Sequence, residues 1–224
     1  MCTYRVLAVL IIFTIKVSAQ GQADELRSWF QPDRFIEHSQ ADEQSIIGVL
    51  NSLRTSPQSW ARLIDTMILW LEVGRPPRML QHLLGSEGAS LLQEVRIFLD
   101  TVSAACAVSR STCLQRVASL HAVDVSSNPG RVRHTSSAGA TLTQRVRNAC
   151  PDVTSFAECI DHLSANASTV ILRLLFDPDV PDRGHRRTLF DPEFRSVGVG
   201  GAPCKNHPIL GTGYVVVLTF ADRR

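Results

Sequence analysis

The hydrophobic positions in the first half of the chain recur three and four residues apart, a spacing that places them on one face of an α-helix. Pro57 suits the first turn of one such helix, and the stretch from Gly74 to Pro77 ends it. The helices predicted on this ground cover residues 42–54, 56–71, 80–84, 86–108 and 113–125. We therefore expect the first half of the chain to be built from helices.

The second half of the chain mixes helices with strands. The predicted helices cover residues 141–148, 168–176 and 186–190. Residues 196–200 and 213–220 have the composition of strands, and the Gly-, Pro- and Asn-containing connection between them favours antiparallel pairing. Helices followed by strands predict an α+β fold with a small antiparallel sheet, in a single domain over residues 43–224.

The N-terminal segment has the pattern of a secretory signal peptide. Arg5 precedes an apolar run over residues 6–15, and Val-Ser-Ala at 17–19 supplies the small residues of a cleavage site. The apolar run is shorter than the roughly 20 residues that span a bilayer, so we expect residues 1–19 to be removed, leaving no transmembrane anchor. Residues 20–42 are polar and lack periodicity, which predicts an N-terminal arm. The mature protein is expected to be secreted.

Charge and composition narrow the classes of function. Of the 23 Lys and Arg residues, Arg5 and Lys16 fall within residues 1–19, which contain no acid, so the mature chain carries 21 basic and 21 acidic residues. A formally neutral chain has no general attraction for phosphate backbones, so nucleic-acid binding is not expected. Hydrophobic residues make up 44% of the chain, which is ordinary for a globular protein.

Five cysteines remain in the mature chain: Cys106, Cys113, Cys150, Cys159 and Cys204. In a secreted protein the default for such residues is disulfide bonding, but five cysteines cannot all pair, and sequence does not fix the connectivity. Short loops favour Cys106–Cys113 and Cys150–Cys159, which leaves Cys204. The tripeptide Asn166-Ala167-Ser168 adds a predicted N-glycosylation site.

Two histidines and two acids are the main candidates for chemistry: His134, Glu158, Asp177 and His185. Two imidazoles and two carboxylates can hold a divalent ion or act as acid and base. They lie 24, 19 and 8 residues apart without a local motif such as HExxH, so their spacing does not establish that they converge. The alternative for each is a solvated loop histidine or an acid that caps a helix or forms a turn.

An ordered series of short motifs resembles a known family. The motifs are Leu-Asn-Ser-Leu-Arg-x-x-Pro at 50–57, Leu120-His121-Ala122-x-Asp124, His134-x-Ser136, Glu158, a helix ending in Asp177, Arg183-Gly184-His185-Arg186 and Val197-Gly198-Val199-Gly200. Over about residues 44–222, this order resembles the CAP superfamily, which is also called SCP-like. That superfamily contains cysteine-rich secretory proteins, insect venom antigen 5 and plant pathogenesis-related proteins. The Gly-His-Arg form is similar to its bacterial and protist branch.

The resemblance implies an α-β-α sandwich with a cleft that holds two histidines and two acids. His134 and His185 match the two family histidines, and Glu158 matches the Glu of the family's Gly-Glu-Asn motif. Asp177 falls where the second acid, usually Glu, ends a helix. The sequence departs from the family by having Ala-Glu-Cys in place of Gly-Glu-Asn and by an extra helical segment over residues 59–109, which we interpret as an insertion.

For function, the resemblance implies a secreted, non-enzymatic module that binds an apolar ligand such as a sterol or fatty acid, or an extracellular protein partner. Its cleft would hold Zn²⁺ or another divalent cation through His134 and His185, with Glu158 as a third candidate ligand. One alternative is a metal-dependent, protease-like hydrolase in which Glu158 is the general base. Another is that the four side chains only tie the sheet to its flanking helices.

Overall fold

The part of the chain that the structure, a computed structural model, describes comprises residues 19–30, 40–128, 133–162, 164, 166–207 and 211–222. The predicted signal peptide lies outside these ranges except for residue 19. Residues 31–39 of the predicted arm also lie outside them. None of the described helices is both long enough and apolar enough to cross a lipid bilayer.

The helices lie close to the positions predicted from hydrophobic spacing. Their bounds are α1 Ala19–Ser28, α2 Gln40–Thr55, α3 Pro57–Glu72, α4 Arg78–Leu84, α5 Ala89–Thr101, α6 Thr112–Ser127, α7 Leu142–Ala149, α8 Ala167–Phe176 and α9 Gly184–Phe190. The helix predicted over 86–108 is shorter, because the chain turns to an extended backbone at Val102. The hydrophobic spacing therefore predicts the positions of the helices more accurately than their ends.

Helix α1 forms in the region predicted as a polar arm. Leu26 in this helix and Phe30 just after it are buried in the main core, and the Trp29 ring lies 5.6 Å from the Trp60 ring of α3. Three apolar residues grouped near the end of one short helix are too few to produce a periodic signal. Their packing against α3 shows that the end of α1 and the two residues after it are part of the fold.

The described strands form one four-stranded sheet with the order β1-β3-β4-β2. The strands are β1 Ser109–Arg110, β2 Phe156–His162, β3 Ser196–His207 and β4 Gly211–Ala221. Strands β3 and β4 pair antiparallel as predicted, β2 joins β4 antiparallel, and β1 pairs with β3 in parallel. Strand β2, which hydrophobic spacing did not predict, is therefore an edge strand of the sheet.

Helices cover both faces of this sheet and complete an α-β-α sandwich. On one face, α6 packs against β3 where Gly198 and Gly200 leave room for its backbone. A Cβ atom at these positions would lie 2.1 Å from the carbonyl carbon of Leu114 and 2.3 Å from that of Ala118. The opposite face packs against α2, α8 and α9. Gly198 and Gly200 of the predicted strand are thus places of close helix–sheet contact.

The pairing register fixes the face toward which each side chain of β2 points. Glu158 lies opposite Thr219, which lies opposite Gly198, so Glu158 shares the face covered by α6. The neighbouring Cys159 lies opposite Leu218 and points to the other face, into the core that includes α8. Adjacent side chains of β2 therefore point to opposite faces of the sheet.

The segment interpreted as an insertion, residues 59–109, contains most of α3 and all of α4 and α5. Helices α3 and α5 pack along each other, and both α4 and α5 contact α8. Its buried apolar side chains join the same core as the sheet: Ile64, Met67, Leu80, Leu83, Leu91, Leu92, Val95 and Leu99. This segment therefore enlarges the core on the side of the sheet that carries α8.

The one disulfide among the described residues joins Cys113 to Cys150. The pairing that short loops favoured, Cys106–Cys113 and Cys150–Cys159, is wrong. Cys113 lies in the first turn of α6 and Cys150 ends α7, and these two helices pack together. Cys159 is buried on the opposite face of the sheet. Tertiary packing therefore outweighs proximity in sequence.

Asn166, the predicted glycosylation site, begins helix α8. Its side-chain oxygen accepts a hydrogen bond from the Thr169 amide at 3.0 Å, and its Nδ2 donates to the Trp29 carbonyl at 2.8 Å. The side chain thus caps α8 and links it to the end of α1. Glycosylation of Asn166 stays a prediction.

Candidate functional site

The loop that carries His134 is fastened to helix α6. Asp124, in the last turns of α6, accepts a hydrogen bond from the Ser137 amide at 2.8 Å and another from the Ser137 hydroxyl. Ser136 closes the turn, because its amide donates to the Ala140 carbonyl at 2.9 Å. These bonds hold the His-x-Ser segment against α6 although it has no regular secondary structure.

His134 reaches from this loop to the buried acid of β2. Its Nδ1 lies 3.0 Å from Oε1 of Glu158; the Glu158 side chain is fully buried, whereas that of His134 is 57% exposed. Arg145 of helix α7 donates from Nη1 to Glu158 Oε2 at 2.8 Å and from Nη2 to Oε1 at 3.0 Å. Arg145 also donates to the carbonyl of His134 at 2.7 Å. A single guanidinium therefore fixes both members of the pair.

Glu158 is held in its ionised form. Burial alone would raise the pKa of Glu158, but the hydrogen bonds from His134 and Arg145 outweigh burial and lower that pKa below its usual value. His121 of α6 lies beside the same carboxylate, with Nε2 3.6 Å from Oε1. Burial lowers the pKa of His121, so this third imidazole is neutral near pH 7. Its Nε2 donates to the Arg133 carbonyl at 2.8 Å.

Asp177 and His185 form a second pair between α8 and α9. Nδ1 of His185 lies 2.7 Å from Asp177 Oδ1, and the His185 amide donates to Oδ2 of the same carboxylate at 2.9 Å. The Asp177 side chain is 2% exposed and that of His185 is 28% exposed. Asp177 ends α8 in the left-handed conformation, with φ of 52°. This backbone geometry turns the chain back so that an acid can bind a histidine eight residues later.

The two pairs approach strand β2 from its two faces. Glu158 lies on the face covered by α6, and Asp177 follows α8 on the other face. The Cys159 thiol is fully buried, and this burial, together with the negative charges of Asp177 and Glu158, raises its pKa. Cys159 is therefore an inert core thiol. Within the described residues, no group of three or more His, Cys, Asp or Glu side chains is placed to hold a metal ion.

The sequence named all four members of these pairs, and it missed Arg145 and His121 as their partners. His121 stands in the Leu-His-Ala-x-Asp block, three residues before the acid that holds the His134 loop, and that spacing was an available signal. Arg145 follows the capping box of Thr141 and Gln144, but nothing in the local sequence indicates an ion pair with a strand 13 residues away. Its role follows from tertiary structure alone.

The fold and the paired site define a class: an α-β-α sandwich with two histidine–carboxylate pairs at an edge strand. The family model of the cysteine-rich secretory protein family, CAP, matches residues 102–220. This match covers just over half of the chain, and the protein belongs to that family. No curated protein sequence matches it significantly.

Three solved structures are similar to parts of the chain. An extracellular SCP-domain protein from Bacillus anthracis has 18% identity and a TM-score of 0.43, over 58% of this chain and 40% of that one. An outer surface protein from Borrelia burgdorferi has 20% identity and a TM-score of 0.40, over 62% and 95%. A cysteine-rich secretory protein from Staphylococcus aureus has 14% identity and a TM-score of 0.37, over 60% and 37%. The chain thus spans less than half the length of the Bacillus and Staphylococcus proteins.

Proposed function

We propose that this protein is a secreted, non-enzymatic CAP-type binding module in which His134 and His185 bind a divalent cation such as Zn²⁺. Glu158 and Asp177 act as the groups that orient the two rings. The observation that carries this proposal is that each imidazole places Nδ1 against a buried carboxylate, at 3.0 Å and 2.7 Å. Secretion is supported by the N-terminal sequence pattern and by the Cys113–Cys150 disulfide.

The carboxylates determine which nitrogen of each ring is available. An ionised carboxylate only accepts hydrogen bonds, so the ring nitrogen that faces it carries the proton. His134 and His185 are therefore expected to be protonated on Nδ1, which leaves the lone pair of Nε2 for a cation. Metal-binding histidines in proteins are commonly held in this way by a carboxylate behind the ring. The residues present thus fit an imidazole-bound cation.

A cation shared by the two pairs would not have a complete protein cage. No described strand pairs with the outer side of β2, so a cation shared by the two rings would have to lie at this edge, which His134 and His185 approach from opposite faces. Two imidazoles supply fewer ligands than the four of a structural zinc site, so water or a partner would complete the coordination. A cation bound there would supply positive charge that attracts an anionic group of a partner.

The geometry does not favour the hydrolase alternative. A general base must accept a proton from the attacking water, and both oxygens of Glu158 already accept hydrogen bonds from Arg145. The lowered pKa of Glu158 also makes it a weak base. We therefore assign Glu158 to orienting His134 and not to binding the metal.

An apolar ligand would bind away from the histidines. A groove of about 370 Å³ runs between α1, α2 and α3, and its lining includes Trp29, Trp60, Leu63 and Val49. This volume lies within the range of small-molecule sites, and aromatic walls suit a sterol or an acyl chain. We propose this groove, and not the histidine pairs, as the place where an apolar ligand binds.

The experiment is thermal unfolding of the mature protein against Zn²⁺ concentration, for the wild type, His134→Ala, His185→Ala and the double variant. A ligand that binds only the native state raises the unfolding midpoint. If one cation is shared, each single variant loses most of the shift and the double variant loses little more. If each ring binds a cation separately, the losses add. No shift in the wild type contradicts the proposal.

A further inference from the structure

We infer that Glu87 and Glu94, in the helical segment outside the family match, are positioning residues that hold the His185 loop in its binding conformation. Because it treats His185 as a cation ligand, this inference rests on the function proposed above. The family match begins at residue 102, so neither glutamate belongs to the matched region. The inference gives the extra segment a role at the site.

The loop before His185 follows an unfavourable backbone path. Asp177, Asp179 and Arg183 have φ of 52°, 61° and 49°, and they are the only non-glycine residues of the described chain with positive φ. Side chains of L-residues crowd the backbone in this left-handed region. Such conformations persist only where surrounding contacts fix them, and they concentrate at functional sites.

Arg183 provides the central contact of this loop. Its Nη1 donates to Glu87 Oε1 at 2.9 Å, and its Nη2 contacts Glu87 Oε2. Its Nε and Nη2 donate to the two oxygens of Glu94 at 3.0 Å and 2.7 Å. One guanidinium therefore binds both carboxylates through three of its nitrogens. The compact ammonium group of a lysine could not reproduce this fork geometry.

The turn before α5 also contacts the loop directly. The Asp179 amide donates to Glu87 Oε1 at 2.7 Å, and the Ser86 hydroxyl donates to Asp179 Oδ1 at 2.6 Å. Gly85 lets the two segments approach, because a Cβ there would lie 2.8 Å from Asp179 Oδ2 and 3.1 Å from Pro178. All three non-glycine residues with positive φ thus lie in a loop that residues 85–94 hold from one side.

The same contacts lead to the histidine. Arg183 immediately precedes α9, and its Nη1 also donates to the carbonyl of Asp177 at 2.8 Å. Asp177 in turn binds both the ring and the amide of His185. Arg186, the residue after His185, contacts Glu94 and donates to the Phe176 carbonyl at the end of α8. Release of Arg183 and Arg186 from the glutamates would therefore free both ends of the Asp177–His185 pair.

The test compares E87Q/E94Q with a matched control, D65N/D100N, in the mature protein. Each glutamate accepts through both oxygens, and an amide can accept through only one. The control removes Asp65 of α3 and Asp100 of α5, the two acids that bind Arg96 of α5. It does not touch the loop. One readout is hydrogen exchange at the His185 amide; the other is the affinity for Zn²⁺ alone.

We expect E87Q/E94Q to speed exchange at the His185 amide at least tenfold and to weaken Zn²⁺ binding by roughly 10- to 100-fold, the usual effect of losing a group that orients a ligand. The control should change neither. If the wild type binds no Zn²⁺ but exchange responds to E87Q/E94Q, the positioning role stands and the proposed function fails. Unchanged exchange in E87Q/E94Q, an equal change in the control, or undiminished Zn²⁺ affinity overturns the inference.

Discussion

Arg145 donates hydrogen bonds from both of its terminal nitrogens to the buried carboxylate of Glu158, at 2.8 Å and 3.0 Å. This bidentate pair is a strong form of charge-assisted hydrogen bond. It keeps Glu158 ionised inside the fold, and the ionised carboxylate in turn holds Nδ1 of His134 at 3.0 Å. The arrangement makes Glu158 a fixed orienting group for an exposed imidazole.

The first prediction concerns this pair. Glu158→Gln keeps the shape of the side chain but leaves Arg145 charged and partly buried without its counter-ion. We expect a loss of about 3 kcal/mol or more in the free energy of unfolding, measured by chemical denaturation. Asp182→Asn breaks the exposed ion pair with Arg187 and is the control, with an expected loss of less than about 1 kcal/mol. Equal losses in the two variants would contradict the prediction.

The second prediction concerns the pH dependence of the contact between Glu87 and Arg183. The hydrogen bond from Arg183 lowers the pKa of Glu87 to about 2. Because the folded-state pKa lies below the unfolded one, the stabilisation is present above the unfolded pKa of about 4.5 and disappears as pH falls toward 2. Wild-type stability should therefore fall over this range more steeply than that of Glu87→Gln. Parallel curves of stability against pH for the wild type and Glu87→Gln would show that this contact contributes nothing to stability.

The third prediction concerns a buried acid of β2 outside the histidine pairs. Burial raises the pKa of Asp161 to about 6, although Arg173 lies 3.4 Å away. The folded state therefore holds this proton more tightly than the unfolded state, so stability should decrease as pH rises from about 4 to about 6. Asp161→Asn should flatten this part of the curve and stabilise the protein at pH 7 by on the order of 2 kcal/mol. A variant that is less stable at pH 7 would contradict the burial argument.

The fourth prediction concerns the contact between α6 and the sheet. Gly198→Ala places a Cβ 2.1 Å from the backbone of Leu114, which forces the helix away from β3. We expect a loss of about 3 kcal/mol or more in the free energy of unfolding, which is the range of severe overpacking. Gly48→Ala in α2 meets no atom within 4 Å and should stabilise the protein by about 0.5–1 kcal/mol. Similar changes in the free energy of unfolding for Gly198→Ala and Gly48→Ala would contradict the close packing.

The sequence predicted most of the helices because their apolar stripes are local, as in α2 and α3. It did not predict β2, because Glu158 and Asp161 stand at buried positions of that strand. Their charges are met by Arg145 and Arg173, which lie on other elements, so no local pattern reveals a strand there. Helix α1 was missed for the opposite reason, since its few apolar residues form no repeat.

The candidate site also combines residues that the sequence predicted with an arrangement that it could not predict. His134, Glu158, Asp177 and His185 were named from motif order, which does not depend on distance in space. Their arrangement as two pairs on opposite faces of β2 depends on the strand register and on the left-handed turn at Asp177. The contacts of Glu87 and Glu94 with Arg183 join residues 96 and 89 positions apart and could not be predicted from either local sequence.

The central claim is that buried carboxylates orient His134 and His185 with Nε2 directed outward. Long-range ¹H–¹⁵N NMR of the imidazole rings at neutral pH tests it most directly, because the ¹⁵N shifts identify the protonated nitrogen. We predict the Nδ1-protonated form for both rings, and a shift of both Nε2 signals when Zn²⁺ is added. Rings protonated on Nε2, with signals that do not respond to Zn²⁺, would contradict it.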